Sequence, residues 1–425
     1  MIILLICIFL VGFLAIIFEQ KIKINKAAIA LITAVLCWTF FVIFAKDKIV
    51  TINELSVHLS KISEIVFFLL GAMTIVELID AHDGFQIILE RINTTNKTKL
   101  IWIIAIITFF LSAALDNLTT AIILLSILNK LIADKKTKHL LLGLVIIAAN
   151  AGGAWSPIGD VTTTMLWIGG QITPMEIIQQ TFLASFVCMA IPTLIVNYII
   201  KEKIVLIPKT NNIFSTTALE RNSVFIIGLG CLLFVPIFKA ITGLPPYMGM
   251  MLCLGMLWVF TEMIHKGKLD AEKGELSVNG ALKKIDTASI LFFFGILLSI
   301  AALDSSGILN QLATSLNDAV GNLHVIAFGI GLLSAVFDNV PLVASLQSMY
   351  SLDVYPTDHY FWELLAYAAG TGGSCLIIGS ASGIAIMGIE KIDFFWYLKK
   401  VSWIALVGFL SGMAVLILEQ YLLDL

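Results

Sequence analysis

Long apolar runs dominate the pattern along the chain. A helix needs roughly 20 residues to cross the hydrocarbon core. On that measure the runs predict spans near residues 2–18, 27–45, 63–81, 139–169 and 177–200, then near 222–240, 246–264, 286–304, 361–389 and 396–418. Between the third and fourth spans of each set lies one more apolar stretch, 100–132 and 323–350. Each is too long for one straight span and too short for two joined by a turn. A re-entrant hairpin fits both, and its irregular tip is tolerable at membrane depth only inside protein or a watery cavity. The polar segments 201–221 and 266–285 read as cytoplasmic linkers, and 82–99 and 304–322 as mildly amphipathic interfacial arms.

Inside these apolar runs a few polar residues recur in order. "SAALDNLTTA" (112–121) in the first hairpin is echoed by "SAVFDNVPLVA" (334–344) in the second. "FFLLGAMTIVELIDAHDG" is echoed by "LFFFGILLSIAALDSSG", and "AANAGGAWSPIGD" by "AAGTGGSCLIIGS". Gly152, Gly153 and Gly159 return as Gly372, Gly373 and Gly379, each 220 residues later. A span containing those glycines and Pro157 cannot be an unbroken helix. Its counterpart, with Gly370 and Gly383 as well, is expected to unwind likewise. Five spans per half is an odd number, which turns the second half upside down.

The predicted fold is therefore an all-α polytopic membrane protein of two inverted repeats, 1–200 and 222–425, joined by the linker 201–221. Each repeat carries a hairpin (100–132, 323–350) and a broken helix (139–169, 361–389). The two tips and two breaks would meet near the midplane, where secondary transporters hold substrate and coupling ion.

Composition supports the membrane assignment. Of the 425 residues, 59% are hydrophobic, against roughly 45–50% in soluble domains, and the mean hydropathy is +1.00. "MIILLICIFLVGFLAIIF" lacks a basic leader and a small-residue cleavage site, so it reads as a first span and not a removed signal. The six cysteines lie in apolar stretches without paired or metal-like spacing and read as packing residues. A net charge of -3 points to no charged macromolecular partner, nucleic acid included.

Charge distribution adds orientation. With both stretches re-entrant, 22 of the 26 Lys and Arg residues, Lys26 and Arg221 among them, fall on one side, and only Lys46, Lys48, Lys61 and Lys239 on the other. Single spans would give 10 against 16. The positive-inside bias thus favours hairpins, with both termini outside the cytoplasm. Glu363 and Lys239 read as snorkelling or interfacial residues. Glu77, Asp80, His82 and Asp83 read as solvated groups at a span end, with a pH-sensing histidine as the alternative.

Charged groups at the bilayer centre cost about 2.5–3.5 kcal/mol on insertion scales and usually mark function. The midplane oxygens are Ser112, Asp116, Asn117, Thr119 and Thr120 from hairpin 1 and Ser334, Asp338 and Asn339 from hairpin 2. The broken helices add Asn150, Ser156, Asp160, Thr162, Thr163, Thr371, Ser374 and Ser380. Carboxylate, amide, hydroxyl and carbonyl oxygens suit a hard cation such as Na⁺, which is placed at Asp116, Asn117 and Asp160. A carboxylate that holds a proton and releases it when Na⁺ arrives is already an exchange mechanism. The alternative is structural: an aspartate can satisfy a backbone break, and Ser or Thr can bond its own i−4 carbonyl. No cofactor is called for; the partners are Na⁺, protons and the lipid bilayer.

"SAALDNLTTAIILL", "AANAGGAWSPIGDVTTTMLW", "SAVFDNVPLVAS" and "GAMTIVELIDAH" resemble the NhaD-type Na⁺/H⁺ antiporters of the ion transporter superfamily, which includes arsenite permeases and dicarboxylate transporters. The resemblance runs from about residue 63 to 390. It implies extrusion of Na⁺ and Li⁺ in exchange for H⁺ by a homodimer with an elevator-like transport domain. The localisation expected is the inner (plasma) membrane of the cell. It also implies functional roles at Ser112, Asp116, Asn117, Asn150, Asp160, Thr162, Thr163, Ser334, Asp338, Asn339 and Ser374. The halves are not equivalent: Pro341-Leu342 stand where hairpin 1 has Thr119-Thr120, and Ser380 stands opposite Asp160, which puts the cation nearer the first repeat.

Three midplane carboxylates and no membrane arginine argue against a dicarboxylate substrate. An arsenite permease is the runner-up, since fold alone does not decide function. "PIGD" resembles the GxGD signature of intramembrane aspartyl proteases, but Pro157 replaces the first glycine and the duplication has no role in such an enzyme.

This topology makes Lys135 and Lys136 cytoplasmic and Asp353 external. Single-cysteine labelling from each side checks it, and finding 135 and 353 on the same side would sink the inverted arrangement.

Overall fold

The computed structural model describes residues 2–92, 94, 96–201, 216–267 and 274–423, and contains no β-strand among them. Nine of the described helices are long and apolar enough to cross a membrane. The protein is a polytopic, multi-pass, all-α membrane protein. Ile2–Ile17, Lys26–Phe44, Pro174–Ile199, Pro246–Ile264 and Thr287–Ser305 follow the apolar runs closely.

Local capping moves several other boundaries. Lys48–Ala81 starts well before residue 63, because the Asp47 carboxylate accepts from Ile49 N and Val50 N and the amphipathic stretch after it stays helical. Ala218–Thr242 starts inside the expected linker on a capping box of Thr217 and Glu220; residues 202–215 of that linker lie outside the described residues. In the second linker, 268–273 lie outside them too, and Val278–Lys284 forms a short helix capped by Ser277. The expected interfacial arms contain Gln86–Arg91 and Ile308–Val320.

The chain breaks where the repeated motifs lie. The stretch expected as the first hairpin holds Lys97–Ala114 and Asn117–Leu131, that expected as the second Leu323–Ser334 and Asn339–Met349. The broken spans are Lys135–Ala154 with Val161–Ile168, and Tyr360–Gly372 with Ala381–Glu390 beyond a 3₁₀ turn at Gly373–Cys375. Every resumed half-helix begins on a side-chain cap. Asp116 accepts from Thr119 N, Asp160 from Thr162 N, Asp338 from Val340 N and Ser380 from Gly383 N.

Matching contacts seat each hairpin on its broken span. A Cβ on Gly152 would stand 2.2 Å from the Phe109 carbonyl oxygen, and one on Gly372 2.2 Å from that of Gly331. The Ser112 hydroxyl donates to the Ala149 carbonyl at 2.6 Å, and that of Ser334 to the Ala369 carbonyl at 2.6 Å. Backbone lies on backbone at both places, so no neighbouring side chain can give way.

The hairpins enter from opposite ends. Both outer ends of the second meet the start of Tyr360–Gly372: His324 lies 5.8 Å from the Tyr360 ring and Tyr350 4.9 Å from the Phe361 ring. That end also carries the bond from Thr357 Oγ1 to the Gly170 carbonyl, 2.7 Å. The outer ends of the first hairpin lie at the other end of the molecule. Lys97 donates to the Asn197 carbonyl at 2.9 Å, and Lys138 pairs with Asn129 at 2.6 Å and Glu390 at 3.0 Å. Gly408 lies against Cys188 and Gly412 against Ala184, so Ser402–Leu423 runs antiparallel to Pro174–Ile199. Ile200 and Val401 thus share that end.

Three expectations about depth need correction. Glu363 is 1% exposed and does not snorkel. His82 is not solvated: it is fully buried, with its Nε2 2.8 Å from His265 Nε2. Lys26, counted among the loop charges, reaches inward to Asp338. Five of the six cysteines are buried, while Cys7 is exposed.

Gly152→Ala and Gly372→Ala should each force hairpin and broken span apart. Overpacking of this kind typically costs about 1–3 kcal/mol, and backbone-to-backbone contact puts both at the upper end. The check is a large drop in thermal stability or loss of monodisperse protein; Gly230→Ala, which faces open space, should be nearly neutral.

Candidate ion-binding site

Asp160 is the centre of the polar cluster. It is 2% exposed, and its Oδ1 accepts from Thr162 N at 3.1 Å as the cap of Val161–Ile168. Its Oδ2 accepts from the Asn117 amide at 3.2 Å and the Asn339 amide at 3.0 Å. One carboxylate thus joins the tips of both hairpins to the break in the first discontinuous span. Asn117 also donates to Asn150 Oδ1 at 3.1 Å.

Asp116 and Asp338 flank this centre differently. Both oxygens of Asp116 are engaged locally, by Thr119 N at 2.6 Å and Thr119 Oγ1 at 2.8 Å. Asp338 caps its half-helix through Oδ1, while Oδ2 meets the Lys26 ammonium at 3.2 Å. All three carboxylates, both asparagines and Lys26 line a cavity of ≈ 70 Å³, room for about two waters at roughly 30 Å³ each. Larger recesses exist, but the one of ≈ 620 Å³ beside Trp155, Ile178 and Leu229 holds no ionisable side chain.

The remaining hydroxyls divide into two groups. Ser112, Ser156, Thr163, Ser334, Thr371 and Ser374 all donate to backbone carbonyls, at Ala149, Ala113, Asp160, Ala369, Tyr367 and Thr371 respectively. They seat and trim the helices around the breaks, and only their lone pairs remain for a cation. Thr120 Oγ1, Thr162 Oγ1 and Asn150 Nδ2, by contrast, are buried without a hydrogen-bond partner among the described residues. Buried polar atoms in that state call for a water or an ion. Among the described residues no group of three or more His, Cys, Asp or Glu side chains converges on a metal position.

Two contributors escaped the sequence reading. Ser382 is fully buried, donates to Asn150 Oδ1 at 3.2 Å and lies 3.0 Å from Ser380 Oγ. Its signal was available, for it stands 220 residues after Thr162. Lys26 gave no local signal, because its partner is 312 residues away.

Comparison with known proteins bears on this geometry. A family model described as a citrate transporter matches residues 13–362. The chain is 48% identical to a protein named sodium/proton antiporter 1 from Arabidopsis thaliana, over 95% of this chain and 70% of that one. It is 46% identical to sodium/proton antiporter 2 of the same plant, over 95% and 96%. With the Na(+)/H(+) antiporter NhaD of Alkalimonas amylolytica it shares 28% identity over 96% and 89%. A chain that carries these motifs and matches these relatives along nearly its whole length belongs to the NhaD-type Na⁺/H⁺ antiporters of the ion transporter superfamily.

Proposed function

We propose that the protein exchanges Na⁺, and Li⁺, for H⁺ across the inner (plasma) membrane of a cell, with Asp160 as the exchanging carboxylate. The observation that carries this reading is the position of Asp160, held by amides from both hairpin tips. A helix break needs only a cap, and Ser380 caps the corresponding break without a charge. A cap contributes about 1 kcal/mol, less than the roughly 2.5–3.5 kcal/mol cost of an acid at the bilayer centre. Capping does not explain the aspartate, whereas exchange does.

The residues then act as follows. A proton on Asp160 leaves the two amides with a neutral acceptor. Na⁺ in its place draws on the carboxylate, the Asn117, Asn150 and Asn339 side chains and the unpartnered oxygens of Thr120 and Thr162. Proton and cation compete for one group, so both cannot be bound there at once. Asp116 and Asp338 set the negative field of the cavity that gathers cations. The seating hydroxyls of Ser112, Ser156, Ser334 and Ser374 keep the breaks in register.

The wider frame belongs to the same proposal. Residues 1–200 and 222–425 form inverted repeats, the hairpins and broken spans move as an elevator-like unit, and the protein works as a homodimer. Opposite entry of the two hairpins and the paired glycine contacts support this frame. Relatives named for sodium/proton exchange support the choice of cargo over arsenite, and an acidic, arginine-free cavity counts against citrate or another dicarboxylate.

Asp160→Asn should fold and insert normally yet reduce Na⁺-induced dequenching of a pH dye in everted vesicles to background. Normal exchange in this variant, and in Asp338→Asn, would make the carboxylates structural. Competition gives a second expected outcome. Raising saturating Na⁺ tenfold should lower the pH of half-maximal proton release by about one unit, equivalent to roughly 1.4 kcal/mol. Release on adding Na⁺ to detergent-solubilised protein should shrink at high pH, where the site is already empty of protons. If release survives in Asp160→Asn but vanishes in Asp116→Asn, the exchanged proton resides on Asp116.

A further inference from the structure

Among the described residues, Lys26 is the one basic side chain that lines the cavity. It opens the helix Lys26–Phe44, whose start is fixed by Asn25, accepting from Ala27 N at 2.8 Å, and by Glu19, accepting from Lys26 N at 2.9 Å. That helix lies along Thr287–Ser305. Gly295 packs on Ala30, and Trp38 Nε1 donates to the Leu298 carbonyl at 2.8 Å. Phe292 of the same neighbour places its ring 4.2 Å from the Lys26 ammonium. Backbone position and side-chain direction of Lys26 are thus both set by this helix pair. Asp338, 3.2 Å away, belongs instead to the tip of hairpin 2, whose next residue, Asn339, holds Asp160.

We propose that Lys26 is a tethered competitor for the transported cation, which locks the unloaded protein by holding Asp338 until Na⁺ or a proton replaces it. This rests on the antiport reading above. The ion pair is the electrostatic tie between the helix pair and the moving tip. If the tip left Lys26 with nothing in the site, Asp338, only 19% exposed, would carry an uncompensated and largely desolvated charge, which is costly. A cation or proton arriving in the cluster removes that penalty, since Asp338 then no longer needs the ammonium. Lys26 withdraws toward the cavity mouth, where its side chain already retains 22% exposure, and the tip is free to move. Only loaded forms therefore cross, which is the condition for coupled exchange without a leak. Glu19 at the Lys26 backbone and Asp116 and Asp160 across the cavity are the other acids nearby, and neither cavity acid is in contact with the ammonium.

The test uses purified full-length protein in liposomes, with radioactive Na⁺ uptake and internal pH read together for wild type, Lys26→Met and Lys26→Arg. In Lys26→Met the competitor is gone. The apparent KM for Na⁺ should fall by roughly threefold or more, up to about tenfold if the pair is worth about 1.4 kcal/mol, and fewer protons should move per Na⁺. Lys26→Arg should keep both values near wild type. Should Lys26→Met fail to fold, Lys26→Gln makes the same two predictions. A neutral variant with wild-type KM and wild-type protons per Na⁺ would overturn the proposal. So would a folded neutral variant without any transport, since Lys26 would then be required for turnover. Absence of Na⁺-dependent proton movement in wild type would instead refute the antiport reading.

Discussion

A chain that breaks its helices inside a membrane must supply every freed backbone group with a partner, and that constraint organises the rest of this molecule. Four half-helices begin within the apolar interior, and each starts on a side chain that accepts from its first free amides. The other freed groups are met by seating contacts such as Ser112 on Ala149 and Ser156 on Ala113. These contacts require the hairpins to lie directly against the broken spans, and that in turn requires glycine where backbone meets backbone. Caps, glycines and hydroxyls are therefore one structural solution, repeated twice. Where some of the caps are acids, carboxylates line the cavity between the tips.

Much of this was legible in the sequence because the repeat is its own control. Two Asp-Asn pairs in matched surroundings stand where helices restart, at Asn117 and Asn339, and the glycines spaced by 220 residues stand where helices are interrupted. Hydropathy gave the spans well, but not the extra helix before residue 63, where Asp47 and not apolarity decides the start. Depth was read poorly at span ends. Glu363 and His82 lie where charges commonly meet solvent, yet neighbouring helices cover both. Periodicity tells how far along a helix a residue sits and says nothing about what stands opposite. Lys26 is the clearest case: it looks like one of many loop lysines, and only the packing of Phe292 beside it turns the ammonium inward.

The candidate oxygens differ in how far they are already engaged. Oxygens of every kind cluster at the breaks, as expected, but six of the hydroxyls are already spent on carbonyls. Thr371 illustrates the reason. It bonds the carbonyl four residues back, at 2.6 Å, as threonines in membrane helices often do. Thr120 and Thr162 differ in that their hydroxyl oxygens have no hydrogen-bond partner among the described residues. Sequence cannot separate these cases, since both kinds of threonine lie next to a break.

The difference between the halves then carries the functional logic. Both repeats provide a hairpin asparagine aimed at the centre, but only the first provides an acid there. In the second, Ser380 takes the capping role and Ser382 turns to Asn150. With a single acid, Asn117 and Asn339 converge on one charge, so a change at Asp160 is felt by both tips together. Two amides from separate helix starts reach one carboxylate, and that one unduplicated acid ties both tips together.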